Sequence, residues 1–398
     1  MLANPTALNQ DIQRLLDAEY QVTIEGNYLI VDNVPYVSSE RKVCRGALIS
    51  AYTFANGATD TGDHTVWFTG SMPYMADGTS LENAIHAGGA MPGPETVAGR
   101  TVFCRFSNYP DPETQALMRT DAFVKMTHYI RKLERFVAAI DPSATAAGQR
   151  SFKENVQPSV FHYPNTSIAR AGLEAYESKL IVNKVAIVGL GGTGAYILDA
   201  LAKTPVAAIQ LFDGDVIESH NAFRLPGAIP GSLVATGLQK TEYLRDVYHH
   251  LRGGLESFPF RIDENTVQRL DGCDFVFIAV DHGPSRGLIA NHLMAKGIPF
   301  IDVGIGVEKI PEDVKLLGRA RVTFVDPRHE NAAKAVASLP VADDKNEEVY
   351  NNIQLVELNA INAMLAIVKY KQYLDFYSEE IPYDSLKYTL SWSQLKTG

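Results

Sequence analysis

The chain has 398 residues, of which 46% are hydrophobic and 21% charged, with a formal net charge of −10. This length exceeds what one hydrophobic core usually serves, so an ordinary globular protein of two domains is expected. The acidic balance excludes a sequence-independent nucleic-acid surface. No apolar run reaches the roughly 18 residues of a membrane span, and the N-terminus MLANPTALNQDIQ lacks the basic and apolar segments of a secretory signal, so a cytoplasmic protein is the expectation.

In chain order, residues 5–19 carry Leu8, Ile12, Leu15 and Leu16 at helical spacing, and residues 22–37 alternate as strands do. Strands are predicted at 42–54, 65–69 and 101–107, with a glycine- and proline-rich loop at 87–99. Phe123, Met126, Ile130, Leu133 and Val137 place a long helix at 120–140, which Asp141 and Pro142 end. Residues 1–150 thus read as an α+β domain suited to docking a protein, and the polar, Pro-containing stretch 151–167 as a linker. Asp63 and His64 form a minor candidate site within that first domain, though a strand-edge histidine is more often satisfied by its neighbours.

A helix is predicted at 168–180, followed by apolar runs at 185–188, 206–212, 258–262, 275–280 and 299–303. Helical patterns at 237–251 and 284–296 lie between them, with one more strand at 319–325 and a last long helix within 349–373. Such alternation predicts an α/β, Rossmann-like, mostly parallel sheet over 168–398.

The first apolar run enters Gly189, Gly191, Gly192, Thr193 and Gly194 and then a helix. Glycines lack a Cβ, so backbone N–H groups and the positive helix end can approach a phosphate chain. Asp213 ends the next run, where a dinucleotide fold places its ribose-binding acid. These features alone suit NAD as well as ATP, whereas the absence of GxxxxGK[ST] excludes a P-loop.

The segment Asp213-Gly-Asp215-Val-Ile-Glu-Ser-His-Asn221-Ala-Phe-Arg224 resembles the D-x-D, S-x-N-x-x-R element of the ubiquitin-activating and ThiF/MoeB adenylyltransferase superfamily. Lys240, then Asp281 with Arg286, follow in the order of that family. The resemblance implies ATP- and Mg2+-dependent adenylation of the C-terminal carboxylate of a ubiquitin-like or sulfur-carrier protein. It gives Asn221, Arg224 and Lys240 to the phosphates, Asp281 to the magnesium, and Asp213 or Asp215 to the ribose. It makes Arg170 an arginine finger for a partner subunit, hence a homodimer.

Two departures are visible: His282 stands where the family has an asparagine, and Leu225 where glutamine is frequent. His282 could line the site or cap a helix. The chain has only Cys44, Cys104 and Cys273, with no cysteine after residue 302, so neither zinc nor an internal thioester is expected. Cys44, beside Arg41, Lys42 and Arg45, is the sole candidate nucleophile, and transfer to a separate conjugating enzyme is the default.

The stretch from His64 to Gly70, with PNTSIAR and HNAFRLPGA, is similar to bacterial ThiF-type proteins with an extra N-terminal domain, associated with ubiquitin-like conjugation gene sets. Two rival functions remain: an NAD(P)-dependent oxidoreductase, which leaves Asn221, Arg224 and Lys240 without a task, and a non-catalytic nucleotide-binding scaffold.

Overall fold

A computed structural model describes residues 9–55, 57–85, 94–108, 111–155, 159–163, 165, 167–168, 173–342 and 353–398. The chain divides into two compact units: residues 1–159 with 163–173, and residues 160–162 with 174–398.

In the first unit, α1 (Gln10–Asp17), β1 (Gln21–Glu25), β2 (Tyr28–Val37), β3 (Val43–Ala51), β4 (Val66–Phe68) and β5 (Cys104–Phe106) precede α2 (Pro112–Thr120) and α3 (Ala122–Val137). Then comes β6 (Ser151–Asn155). The sheet order is β6-β1-β2-β3-β4-β5, antiparallel except that β6 runs parallel to β1. The expected linker therefore begins as an edge strand: its Ser151–Asn155 backbone pairs residue by residue with Gln21–Glu25. Residues 160–162 join the second unit, where the His162 N–H donates to Leu251 O at 3.0 Å. The α3 helix starts at Asp121, whose side chain accepts from the Val124 N–H at 2.8 Å and so satisfies a free helix donor. Its residues Met126, Tyr129, Ile130, Leu133 and Val137 bury against β2 and its neighbours.

The second unit carries β7 (Lys184–Val188), α4 (Gly192–Leu201), β8 (Ala208–Phe212), α5 (Lys240–His249), β9 (Leu255–Phe258), β10 (Phe275–Ile278) and α6 (Gly283–Lys296). These lead to β11 (Phe300–Ile310), β12 (Lys315–Val325), α7 (Val356–Tyr373), β13 (Ser385–Thr389) and β14 (Gln394–Thr397). The sheet order is β9-β8-β7-β10-β11-β12-β13-β14, parallel through β11 and antiparallel beyond it. This is the α/β fold with a mostly parallel sheet that the alternation predicts.

Strand β7 is buried on both faces because successive side chains point to opposite sides. Val185 and Ile187 pack with Leu198, Leu201, Ala363 and Ile367 from α4 and α7. Ala186 and Val188 pack with Ile289, Ala290 and Leu293 from α6. Helix α6 ends at Gly297, in the left-handed region at φ 69°, whose N–H returns to Leu293 O.

The structure departs from these expectations at β9 and at the C-terminal edge of the second sheet. The strand expected at 258–262 is Leu255–Phe258: Gly254 opens it and Pro259, which cannot donate to the ladder, ends it. Of the helix expected over 168–180, residues 169–172 lie outside the described residues; residues 167–168 are helical, as are Glu174–Glu177, which run into a 3-10 turn at Ser178–Leu180. Strands β13 and β14 are additional. Among the described residues, no helix is long and apolar enough to cross a membrane.

Candidate active site

The C-terminal ends of β7, β8, β9 and β10 lie side by side, and open α/β sheets bind ligands at such ends. At β7 the chain reverses through Gly189, whose φ of 90° is in the left-handed region; a Cβ there would stand 2.6 Å from Ala279 O. A Cβ on Gly194 would overlap Gly189 O, and one on Gly192 would overlap the Asn359 side chain. Around Gly191 nothing lies within 4 Å of an added Cβ. Three glycines are thus required for packing, and Gly191, the N-cap of α4, opens the free N-terminus of that helix to a ligand. Thr193 is turned inward, its hydroxyl donating to Asn359 Oδ1 at 2.8 Å.

At the end of β8, Asp213 accepts from the Leu190 N–H at 2.6 Å and from the Asp215 N–H at 2.8 Å. One carboxylate therefore braces both the glycine turn and the Asp213-Gly-Asp215 turn. Burial pushes its pKa up, against the pull of Lys240 and the two N–H donors. Asp215 splits its oxygens: Lys240 Nζ donates to Oδ2 at 2.8 Å and Arg261 Nη2 to Oδ1 at 2.8 Å. Burial resists ionisation of Asp215, but these two cations outweigh it and hold the carboxyl below the ordinary range. Lys240 opens α5 with its side chain buried, 3.9 Å from Asp213 Oδ1.

Asn221 sits fully buried in a 3-10 turn, Ser219–Phe223, where its Oδ1 accepts from the Glu218 N–H at 2.7 Å. Its Nδ2, and the buried Nε of the half-buried Arg224, have no hydrogen-bond partner among the described residues. Burial pushes the Arg224 pKa down although Asp281, Asp215, Asp213 and Glu218 all attract the cation. Both side chains thus present unsatisfied donors beside the acidic turns, the condition an incoming phosphate oxygen relieves.

Asp281 follows β10 and is exposed, with no hydrogen bond or direct ion pair among the described residues. Among those residues, no group of three or more His, Cys, Asp or Glu side chains is placed to hold a metal ion by itself. Asp281 nonetheless suits Mg2+, which commonly takes one or two carboxylates and fills its shell with phosphate oxygens and water. His282 is the N-cap of α6: its Nδ1 faces the Ser285 hydroxyl at 2.8 Å and the Ser285 N–H at 3.3 Å.

Gly189, Gly191, Gly192, Thr193, Gly194, Asp213, Asp215, Asn221, Arg224, Lys240 and Asp281 all occupy this end of the second unit. Arg170 lies outside the described residues. Cys44 belongs to the first unit, half-buried on β3 opposite Tyr36 and packed against the core. Its cationic neighbours are engaged elsewhere, Lys42 with Glu40 and Arg45 with the carbonyls of Asn33 and Thr145. Burial pushes the Cys104 and Cys273 thiols up to about 11. Asp63 is held by Thr65 and Arg105, and His64 lies 3.0 Å from the Ser107 hydroxyl and 3.2 Å from Gln115.

Three contributors carry no motif in the sequence. Arg261 reaches Asp215 from the loop after β9. Asn359, on α7, closes over the glycine turn. Asp302, fully buried on β11, accepts from Arg286 Nε at 2.8 Å and Arg321 Nη2 at 2.6 Å, while Arg286 also donates to Val280 O beside Asp281. The apolar sheet-end residues before each loop were the only signal that could have pointed to the first.

A SAMP-activating enzyme E1 of Haloferax volcanii is 28% identical over 128 residues, covering 31% of this chain and 46% of that protein. An N-acetyl-gamma-glutamyl-phosphate reductase of Pseudomonas aeruginosa is 35% identical over 121 residues, covering 30% and 28%. The chain spans less than half the length of these curated relatives. A crystal structure of E. coli MccB with ATP aligns at a TM-score of 0.44 and 16% identity, over 56% of this chain and 65% of that one. PaaA aligns at 0.42 and 17%, over 56% and 75%. A domain of unknown function (DUF6791) matches residues 10–166, and the ThiF family matches residues 164–391, more than half of the sequence. The chain belongs to the ThiF family.

Proposed function

We propose that the second unit is an ATP-dependent adenylyltransferase that activates the C-terminal carboxylate of a ubiquitin-like or sulfur-carrier protein. The observation that carries this reading is the pair of unsatisfied donors, Arg224 Nε and Asn221 Nδ2, held beside a glycine-opened helix N-terminus and the Asp213 and Asp215 turn. The ThiF family match and the similarity to a SAMP-activating enzyme agree with it.

In the reaction, a carboxylate oxygen attacks the α-phosphorus, the bond to the bridging oxygen breaks, and pyrophosphate leaves with that electron pair. Charge grows on the phosphoryl oxygens as this happens. Arg224 and Asn221 donate to those oxygens. The free N–H groups at Gly191 and the start of α4 hold the phosphate chain, and the Asp215 carboxylate takes the ribose hydroxyls. Lys240 keeps Asp215 ionised and adds positive charge behind the phosphates. Mg2+ held by Asp281 would neutralise the pyrophosphate portion of the nucleotide.

No thiol is needed for this half-reaction, so the acyl-adenylate is passed to a thiol on another protein, a conjugating enzyme. A homodimer in which Arg170 serves the partner's nucleotide belongs to the same reading, as does a cytoplasmic, bacterial setting. The first unit docks a protein partner.

The decisive experiment is exchange of labelled pyrophosphate into ATP with candidate carrier proteins encoded nearby. Carrier-dependent exchange is expected; its absence with every cognate carrier overturns the reading. A second reading, hydride transfer with NAD(P), draws on the similarity to a reductase. It leaves the Arg224 and Asn221 donors without a task, and thermal stabilisation by NAD(P) but not by ATP with Mg2+ would favour it.

A further inference from the structure

Arg261 is 81% exposed, yet it is tied down at one end: its Nη2 donates to Asp215 Oδ1 at 2.8 Å. The backbone around it lies directly on the acidic turn, because a Cβ on Gly214 would stand 2.8 Å from Arg261 Cγ and 3.1 Å from Arg261 N. Gly214 is thus what lets the loop after β9 close over the Asp213-Gly-Asp215 turn. Asp213 and Asp281 also attract the same guanidinium, so it sits in the field of all three acids at this end of the sheet.

The topology says which part of a nucleotide would meet it. Strand β8, whose end carries Asp213 and Asp215, has β7 on one side and β9 on the other. Phosphates belong to the glycine turn after β7. In a 5′-nucleotide the base and the phosphate leave the ribose from opposite carbons, C1′ and C5′. With the ribose on Asp215, the base therefore lies toward the end of β9, where Arg261 is found. A planar guanidinium on an exposed stem stacks well on a purine face.

Resting on the adenylation reading, we propose that Arg261 is a clamp for the base: when ATP binds, its guanidinium leaves Asp215 for the face of the adenine ring, and the vacated Asp215 oxygen takes a ribose hydroxyl. Arg261 is then a lid on the resting acid and a wall of the base pocket in the complex. It sets affinity for the nucleoside part of the substrate and does not touch the phosphates.

The test measures ATP affinity by calorimetry for the full chain and for R261A, R261K and R261W, with melting temperatures as a check on folding. Stacking predicts a loss of about tenfold in R261A. It also predicts no recovery in R261K, whose compact ammonium cannot stack, and recovery to within about threefold in R261W. A counter-ion role predicts the reverse, recovery in R261K and none in R261W. Affinity unchanged in R261A, recovery in R261K, or failure to recover in R261W each overturns the proposal. Wild-type protein that binds no ATP overturns the adenylation reading itself, whereas wild-type binding with R261A unaffected overturns only the clamp.

Discussion

Lys240 and Asp215 are joined twice: the Lys240 N–H donates to Asp215 O at 3.0 Å, and its Nζ donates to Asp215 Oδ2 at 2.8 Å. The first bond anchors the start of α5 to the turn after β8. The second places a buried cation behind the acid. Structure and chemistry therefore share one pair.

Replacing Lys240 by Met removes a cation that is 5% exposed and leaves Asp213 and Asp215 without it. Losing one partner of a fully buried pair costs several kcal/mol, but Asp215 is 44% exposed and water takes up part of the deficit. We expect an unfolding free energy lower by about 1–2 kcal/mol, measured by denaturant titration, together with weakened ATP binding. Equal stability of K240M and wild type would show that the pair does not support the fold.

Arg224→Ala removes a guanidinium that no side-chain hydrogen bond engages among the described residues, so its melting temperature should stay close to wild type. Pyrophosphate exchange should fall by on the order of a hundredfold if Arg224 meets charge in the transition state. An unaffected rate takes Arg224 out of the mechanism.

The glycines should separate by role. Gly194→Ala collides with Gly189 O and should unfold or melt well below wild type. Gly191→Ala meets open space at a φ of −67°, so it should fold normally while its methyl group obstructs the phosphate approach. Thermal melts paired with nucleotide titrations read both, and equal behaviour of the two variants would contradict the assignment.

The fully buried Lys125 gives the first unit a pH signature. Its Nζ donates to the carbonyls of Thr61 at 3.0 Å and Asp63 at 2.7 Å, and burial pushes its pKa down to about 7. The folded state thus releases this proton near pH 7, while the unfolded chain holds it up to its ordinary value of about 10.4. The unfolded state binds more protons across that window, so this lysine makes stability rise with pH from about 7 to about 10. Calorimetry between those values should show the slope, and Lys125→Met should flatten it.

Thiol labelling of the native protein should modify Cys44 first, because Cys104 and Cys273 are buried and their thiols are pushed up to about 11. Cys44→Ser should retain pyrophosphate exchange in full. A reducible adduct with the carrier that disappears in C44S would instead make Cys44 a nucleophile.

Much of the second unit was readable because its signals are local. Val185–Val188 is a continuous apolar run bounded by glycines, which is what a strand buried on both faces requires, and Asp213 to Arg224 is one contiguous segment. The placement of β9 slipped by about one turn of sequence because Phe258, Phe260 and Ile262 alternate convincingly, while the pairing with β8 uses Leu255–Phe258. Strands β13 and β14 were missed since they are short, largely polar and lie beyond the parallel core. Arg261 and Asn359 were hidden for another reason: each acts through a contact across the fold, and the sequence beside them offers at most the apolar strand that precedes the Arg261 loop. The strand at Ser151–Asn155 was hidden in the same way, since its partner, β1, is over a hundred residues earlier.

The bond between Thr193 and Asn359 spans 166 positions. On the ribosome, the glycine turn emerges long before the residue that closes over it. Until α7 is made, Thr193 has no partner for its hydroxyl, and the space above Gly192 is unfilled. On the adenylation reading, the glycine turn is completed only late in synthesis, and fragments ending before residue 356 should bind ATP more weakly than the full chain. The fold thereby ties completion of the glycine turn to the making of α7.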